Sequence, residues 1–227
     1  MSELRRRLMM QAESDPIALP AGCVRCEYLE STGTQWIDTE KVVYADEDLV
    51  LVCYFPSNAT GNNVIMGWRH EGTFSDTSQC YINFSGISTV NELRLFYGIG
   101  ATTAKDCISL PIGVKSKLAI STLERKIFVD DIQQDGLYDK TFTLAYDGEK
   151  GSVFNNYLFA LNNKGGVAAY SYVRIYEYLL KDHKGNFTQH LIPILDFNGT
   201  PCYYDTVAKK FHYNKGTGQF LYKILEQ

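Results

Sequence analysis

The feature that most constrains the fold of this chain is its division into short apolar and aromatic runs that end at turn-forming residues. Most runs have the length of a β-strand, and Gly, Asn, Asp and Ser recur between them. The runs are CEYLE (26–30), QWIDT (35–39), LVLVCYF (49–55), NVIMGW (63–68), CYINF (80–84), ELRLFYGI (92–99), KLAIST (117–122), KIFVDD (126–131), YLFAL (157–161), YSYVRIYEYLL (170–180), QHLIPIL (189–195), KFHY (210–213) and QFLY (219–222). No segment after residue 20 has the length and periodicity of a long helix. The pattern predicts an all-β sandwich or barrel.

Composition and length agree with a single β domain. The chain holds 16 Tyr and 12 Phe, which suit pleated half-buried surfaces, and 18 Gly, which supply the positive φ angles of tight turns. A chain of 227 residues can bury about 70% of its extended surface, enough for a core without disulfides or metals. We therefore expect one domain over residues 21–227.

Residues 1–20 predict a separate N-terminal arm. The stretch SELRRRLMMQAES (2–14) is compatible with a short helix, which Pro16 and Pro20 would end. The three arginines at 5–7 are not followed by an apolar segment of signal-peptide length. We expect a flexible arm or a short helix, no signal peptide, and synthesis in the cytoplasm.

Charge and hydropathy exclude two classes of partner. The net charge of −4 and the pI near 5.6 argue against a nucleic-acid surface, which normally carries a basic stripe. No apolar run reaches the length of about eighteen residues that a membrane helix requires. We expect neither nucleic acid nor a membrane as a partner.

The six cysteines are predicted to be free thiols. They lie at positions 23, 26, 53, 80, 107 and 202, and no export signal accompanies them. Cys23 and Cys26 form a CxxC, but zinc needs four ligands and the sequence has no second pair. Buried structural thiols are the better interpretation.

Motifs at both ends of the chain resemble a known family. They are EYLESTGTQWIDT (27–39), RIYEYLLKDHKGN (174–186), LIPIL (191–195) and YYDTVAKKFHYNKGTGQF (203–220). Together they resemble laminin-G-like, concanavalin A-like jelly-roll domains of bacteriophage tail, prophage and gut bacterial proteins. The resemblance spans roughly residues 23–220, with Trp36 in place of the usual Tyr. It implies a jelly-roll β-sandwich.

Three local structures follow from the motifs and their residues. The stretch 26–40 is expected to be the opening hairpin, with Gly33 in its turn. The runs at 117–122 and 126–131 are expected to pair as a hairpin, although Asp131 replaces the Gly usual in its turn. Residues 214–218, NKGTG, are expected to join the last two strands as a bulged hairpin loop.

Tyrosines and an arginine recur at every second position of the run YSYVRIYEYLL. The set Tyr170, Tyr172, Arg174, Tyr176 and Tyr178 is therefore predicted to share one face of a strand. That row is either a ligand platform or core, and core packing is favoured because Tyr is a common inward residue of large sandwiches.

The sequence shows no catalytic pattern. Retaining glucanases of this fold carry carboxylates as ExDxxE on one strand, and this chain has no such pattern. Its four histidines lack metal-ligand spacing, and it has no GxSxG elbow or phosphate loop. We predict a protein without catalytic residues.

Calcium binding is suggested only by the resemblance to the laminin-G-like family. Many laminin-G-like and lectin-like sandwiches hold Ca²⁺ between loop oxygens, which makes Asp147 and Asn155 candidate ligands. The ordered DxDxDG array is missing, so loop residues without a metal are favoured and no cofactor is predicted.

Candidate glycan-binding residues combine aromatic rings with hydrogen-bonding side chains, as sugar recognition requires. The predicted set is Trp68, Arg69, His70, Tyr81, Asn83, Asn162 and Asn163. The alternative is structural: Trp68 in the core, Arg69 on the surface, and residues 162–166 as a connecting turn.

Two functions are consistent with these observations. The first is a carbohydrate-binding or receptor-recognition domain of a phage tail, prophage or gut bacterial protein, with a glycan or cell-surface polysaccharide as ligand. The second is a structural decoration or assembly module, which contacts a virion or tail protein through residues 1–20. A glycoside hydrolase ranks third. Either of the first two implies synthesis in the bacterial cytoplasm, and a phage protein would then enter the virion.

Overall fold

The computed structural model describes residues 17–43, 47–56, 61–70, 78–87, 90–99, 106–109, 112–121, 126–134 and 154–226. Every regular element in these ranges is a β-strand, which confirms the predicted all-β class. The eighteen strands of this part are β1 (Val24–Glu30), β2 (Ile37–Asp38), β3 (Glu47–Tyr54), β4 (Gly61–His70), β5 (Ser78–Ile87), β6 (Val90–Ile99), β7 (Asp106–Ser109), β8 (Lys115–Ser121), β9 (Lys126–Val129), β10 (Ile132–Gln133), β11 (Tyr157–Leu158), β12 (Leu161–Asn163), β13 (Gly166–Ala168), β14 (Arg174–Asp182), β15 (Phe187–Leu195), β16 (Pro201–Asp205), β17 (Lys210–His212) and β18 (Leu221–Ile224). The same ranges contain no helix long and apolar enough to cross a membrane.

The strands form two large sheets. The ten-stranded sheet has the order β10-β9-β8-β3-β14-β1-β15-β16-β17, and β18 pairs with β1. The eight-stranded sheet has the order β13-β12-β4-β5-β6-β7, and β11 pairs with both β2 and β4. Among the described strands, β4 and β12 form a parallel pair and the named neighbours otherwise run antiparallel.

The core lies between the two sheets. On β3 the side chains alternate, so that Leu49 and Leu51 face the core while Val50 packs on the opposite face. Ile65 and Met66 of β4 join the same core cluster from the eight-stranded sheet. One apolar cluster drawn from both sheets makes the described part of the chain a β-sandwich.

The predicted hairpin in the middle of the chain is confirmed. Leu118 of β8 lies opposite Val129 of β9. After Val129 the chain turns through Asp130 and Asp131, whose φ angles are 49° and 63°, into β10. Two left-handed residues between antiparallel strands are the geometry of a type I′ turn, in which Gly is favoured at the second position.

The prediction of an opening hairpin is wrong. Strand β1 belongs to the ten-stranded sheet, whereas β2 pairs with β11 in the eight-stranded sheet. Residues 31–36 therefore carry the chain from one sheet to the other. Within this connecting segment the Ser31 hydroxyl donates to Oε1 of Gln35 (3.2 Å).

The prediction of a closing hairpin is also wrong. Strand β17 pairs with β16, and β18 pairs with β1, so the loop at 214–218 joins strands with different partners. Phe220, which follows this loop, is in the sandwich core with 3% of its surface exposed.

The two mispredicted loops contact each other, and we call this pairing of residues 31–36 with 214–218 the terminal contact. The Thr217 amide donates to the Thr34 carbonyl (3.2 Å), and the Lys215 amide donates to the Trp36 carbonyl (2.9 Å). The Trp36 amide donates to Oδ1 of Asn214 (3.2 Å). The terminal contact thus joins segments from opposite ends of the chain through backbone groups.

The segment before β1 packs on the ten-stranded sheet. Ile17 and Leu19 lie against Ile192, Ile194 and Tyr204 on the face that points away from the core. Residues 17–20 of the predicted arm are therefore part of the packed structure. Residues 1–16, where the helix was predicted, lie outside the described residues.

The terminal contact leaves no space for a side chain at Gly216. A Cβ atom there would lie 1.9 Å from the Thr34 carbonyl oxygen, an atom that the contact holds in place. We expect Gly216→Ala to lower the free energy of unfolding by about 3 kcal/mol, since both backbones must shift. Equilibrium denaturation in urea measures this difference.

Gly166→Ala is the matched control, because its Cβ would meet only the Asn163 carbonyl oxygen at 3.4 Å. Its stability should stay within about 0.5 kcal/mol of the wild type. Equal stability of the two variants would contradict the role given to the terminal contact.

Candidate functional site

The structure brings four of the seven predicted site residues together. Trp68 and Arg69 lie on β4 directly beside Asn162 and Asn163 of the parallel strand β12. Trp68 is 4% exposed and belongs to the core cluster, so its ring is not open to a ligand. Asn162 is 2% exposed; its amide group donates to the Asn155 carbonyl and its Oδ1 accepts from the Gly165 amide.

The other three predicted residues are placed by their backbone. Tyr81 lies on β5 opposite Gly67 of β4, and Asn83 lies opposite Val64. The side chains of Tyr81, Asn83 and His70, which ends β4, lie outside the described residues. Ligand binding by the predicted set stays a prediction. The burial of Trp68 agrees with the structural alternative for that residue. Asn162 and Asn163 lie on β12, so the connecting turn predicted over residues 162–166 is confined to residues 164–165.

A different candidate site lies on the outer face of the ten-stranded sheet, the face that points away from the core. A half-open cavity of about 360 Å³, which we call the outer pocket, is lined by residues of β1, β3, β8 and β14. Val52 of β3 lines it and alternates with the core residues Leu51 and Cys53, so the outer pocket faces away from the core. Its principal side chains are Arg25, Glu27, Val52, Lys115, Tyr176 and Glu177.

A fork in the ten-stranded sheet creates this pocket. Strands β14 and β15 pair from Tyr178 to Lys181. Beyond that segment they separate, and β1 lies across the opening, with Arg25 opposite Ile194 of β15 and Leu29 opposite Ile175 of β14. Arg25 is consequently placed where the regular sheet is interrupted.

A β-bulge in β14 directs two neighbouring side chains into the pocket. Ile175 lies opposite Cys53 and Glu177 lies opposite Val52, so Tyr176 is the extra residue. Because of the bulge, both Tyr176 and Glu177 line the outer pocket, whereas Tyr178 returns to the core at 0% exposure. The predicted single-faced tyrosine row is therefore wrong: Tyr178 is core and Tyr176 is on the outer face.

Glu177 is held by a buried histidine. Oε1 of Glu177 lies 2.7 Å from Nε2 of His190, and the Thr206 hydroxyl lies 3.0 Å from Nδ1 of the same ring. Among the charged neighbours of Arg25, Glu177 has the largest effect on the pKa of the guanidinium, which it raises against the effect of burial. The carboxylate thus faces the pocket from a fixed position beside a guanidinium.

Arg25 and Lys115, two of the cationic side chains that line the pocket, are not part of an ion pair with a described residue. Nη1 of Arg25 is buried and has no hydrogen-bond partner among the described residues. Burial lowers the pKa of the Arg25 guanidinium, and the charge of Glu177 opposes this shift. Lys115 is exposed, and its Nζ lies 4.1 Å from the centroid of the Tyr176 ring.

Aromatic and charged groups continue from the pocket along the same face. The Arg174 guanidinium lies over the rings of Tyr28 (4.7 Å) and Tyr54 (4.6 Å) and pairs with Glu30. Tyr28 meets Tyr176 edge to face, with 5.4 Å between centroids. Trp36 is not part of this cluster, because its ring packs against Tyr157 with 4.3 Å between centroids.

The environment of Cys26, the thiol that lines the pocket, does not favour the reactive thiolate form. Burial raises the pKa of Cys26 to about 11 and that of Cys53 and of Cys202 to about 12, so the thiolate form is disfavoured. The prediction of buried free thiols is confirmed for these three. Cys23 is a free, half-buried thiol, and the side chains at positions 80 and 107 lie outside the described residues.

Metal ligation has no support in the described part of the chain. It contains no group of three or more His, Cys, Asp or Glu side chains that could hold a metal ion. The calcium candidate Asp147 lies outside the described residues, and the Asn155 carbonyl accepts the hydrogen bond from Asn162.

Comparison of the chain with protein-family models and with curated proteins finds no match. The site must therefore be argued from its own geometry. Sequence reasoning missed the pocket because its residues come from separate strands and share no local motif. The adjacent polar and aromatic residues Tyr176 and Glu177 gave no sign that a bulge would direct both to one side.

Arg25 is expected to contribute little to stability, because one buried nitrogen of its charged group is unpaired. Arg25→Met should leave the free energy of unfolding unchanged within about 0.5 kcal/mol or raise it. Equilibrium denaturation of the purified variant tests this.

Arg174→Met is the matched control, since Arg174 has an ion pair with Glu30 and two ring contacts. It should lose about 1–3 kcal/mol. A larger loss for Arg25→Met than for Arg174→Met would show that Arg25 has a structural role.

Proposed function

We propose that this chain is a non-catalytic carbohydrate-binding or receptor-recognition domain, a concanavalin A-like jelly-roll of a phage tail, prophage or gut bacterial protein. The ligand occupies the outer pocket. The observation that carries the proposal is the bulge in β14, which directs Tyr176 and Glu177 together into a cavity that also receives Arg25. Bulges of this kind are common beside functional sites.

The contents of the pocket fit sugar recognition. A volume of about 360 Å³ is at the lower end of the range of small-molecule sites. Saccharides are bound by an aromatic ring on their apolar face and by charged or amide groups on their hydroxyls. Tyr176, which is 8% exposed with Lys115 over its ring, supplies the ring on the pocket side, and Arg25, Glu27 and Glu177 supply hydrogen-bonding groups.

Lys115 lies over the Tyr176 ring and would have to move for a sugar to stack there. An exposed cation–π contact is worth about 0.5–1 kcal/mol, so its displacement is a small part of a binding free energy. The moved ammonium group stays at the rim, where it can donate to a ligand oxygen.

The non-catalytic part of the proposal is supported by the surroundings of Thr206. The order Thr206–His190–Glu177 resembles a hydrolytic triad in connectivity. However, the Thr206 amide donates to the His190 carbonyl. The amides of Val207 and Ala208 both donate to Oδ1 of Asp205. These three amides are therefore engaged and do not form an oxyanion hole.

The two pocket carboxylates also have basic partners. Glu27 pairs with Lys223, and Glu177 lies against His190. A glycosidase leaves both of its carboxyl groups free to face the sugar, whereas each carboxylate of this pocket is engaged with a basic side chain.

Binding of the full chain to a panel of bacterial and host polysaccharides tests the proposal. We expect at least one specific ligand, and Tyr176→Ala should weaken it by about tenfold, which corresponds to ~1.4 kcal/mol. The control Tyr222→Ala removes a ring that is 43% exposed on β18 and should leave affinity within about twofold.

A folded protein that binds no saccharide would remove the proposal. Binding that survives Tyr176→Ala but is lost in Arg69→Ala would move the site to the residues predicted from the sequence. Release of reducing sugar from a bound polysaccharide would revive the hydrolase.

The assembly module is the second candidate, and the exposed strand β18 favours it. Leu221 is 54% exposed and Ile224 is 47% exposed, while β18 pairs with β1 alone among the described strands. An apolar edge strand is a site for pairing with another chain. Light scattering measures the oligomeric state of the wild type and of Ile224→Lys. We expect the wild type to assemble and the variant to be a monomer if β18 is an assembly surface. A monomer in both cases would count against self-assembly.

A further inference from the structure

The charges of the outer pocket are unevenly paired. Five charged side chains line it, and within the described part of the chain three of them are held by neighbours outside the pocket. The pairs are Glu27 with Lys223 at 2.9 Å, Lys117 with Asp131 at 3.0 Å, and Glu177 with His190 at 2.7 Å. Each carboxylate of the pocket therefore has a basic neighbour outside the pocket.

The two remaining charges are both positive. Neither Arg25 nor Lys115 forms an ion pair with any described residue, and Lys115 rests on the Tyr176 ring instead. A local excess of cations is unexpected in a chain whose net charge is −4. It indicates a pocket prepared for a negative group.

Arg25 carries the stronger indication of the two. Arg25 lines the pocket, and its buried Nη1 lacks a hydrogen-bond partner among the described residues. Buried charged donors are normally satisfied, and exceptions concentrate at functional sites. Glu177 acts on Arg25 through its charge, but its Oε1 is the atom that faces His190.

We propose that the outer pocket selects a saccharide that carries an anionic group, and that the Arg25 guanidinium is the partner of that group. This inference rests on the proposed function and adds the chemical class of its ligand. A guanidinium offers a planar pair of donors that matches a carboxylate or a sulfate. The anion would pair with the guanidinium from the pocket side.

The other groups of the pocket then have distinct roles. Tyr176 covers the sugar ring, and Lys115 at the rim adds a second cation for the anionic group. The Glu177 carboxylate, positioned by His190, accepts from a sugar hydroxyl. A neutral sugar would use the ring and Glu177 but would leave the Arg25 donor with only a hydroxyl, a weaker acceptor than an anion.

The test compares sugars that differ only in their charge. Affinities of the full chain are measured by calorimetry for glucuronate against glucose, for galacturonate against galactose, and for glucose 6-sulfate, together with polymers of each. We expect an acidic member to bind at least about tenfold more tightly than its neutral counterpart. The sulfate ester separates recognition of any anion from recognition of a carboxylate.

Three variants assign the preference to a residue. Arg25→Met should reduce binding of the acidic sugar to the level of the neutral one, about tenfold, and should leave neutral binding unchanged. Arg25→Lys keeps the charge without the paired donors and should recover only part of the preference. Lys184→Met removes one exposed positive charge from the β14–β15 turn and should change nothing.

Equal affinity for acidic and neutral sugars would overturn the inference and leave the proposed function standing. A preference for acid that persists in Arg25→Met would also overturn it. Absence of binding to every sugar would remove the proposed function and this inference with it.

Discussion

The terminal contact is the interaction on which the rest of the structure depends. Thr34 and Thr217 are separated by 183 positions in the sequence, yet their backbones are hydrogen-bonded. Closing so long a loop costs only about 1 kcal/mol more than closing one of fifty residues, so a few backbone bonds and the Phe220 core contact suffice to hold it. The contact sends β1 and β2 into different sheets and brings β18 onto β1, beside the outer pocket.

The pocket follows from the same arrangement. With β1 inserted between β14 and β15, the sheet forks, and the bulge at Tyr176 turns two adjacent side chains to the outer face. Arg25 stays in the fork, and its Nη1 has no hydrogen-bond partner among the described residues, which is why the proposed ligand is assigned to it. The sandwich core is complete without any of these outer-face groups, so the site can vary while the fold persists.

Local patterns in the sequence predict local structure, but they do not predict which strands and loops contact each other. The all-β class and the β8–β9 hairpin follow from alternation and short loops, and both are confirmed. The glycines of residues 214–218 signalled a tight loop, but the close approach that Gly216 serves is to Thr34, not to a neighbouring strand. The tyrosine row failed at Tyr176 because a bulge shifts the alternation by one residue without a sequence signal. The pocket combines separate strands, which no single-sequence pattern brings together.

The most direct test of the central claim is a two-dimensional NMR titration of the labelled full chain with glucuronate. If the outer pocket is the binding site, saturable shifts will appear at the Arg25 side-chain N–H and at the backbone amides of Tyr176 and Glu177, and these signals will yield one dissociation constant. Saturable shifts centred on Trp68 and Asn162, with the Arg25 signal unmoved, would contradict the account and place the site on the eight-stranded sheet.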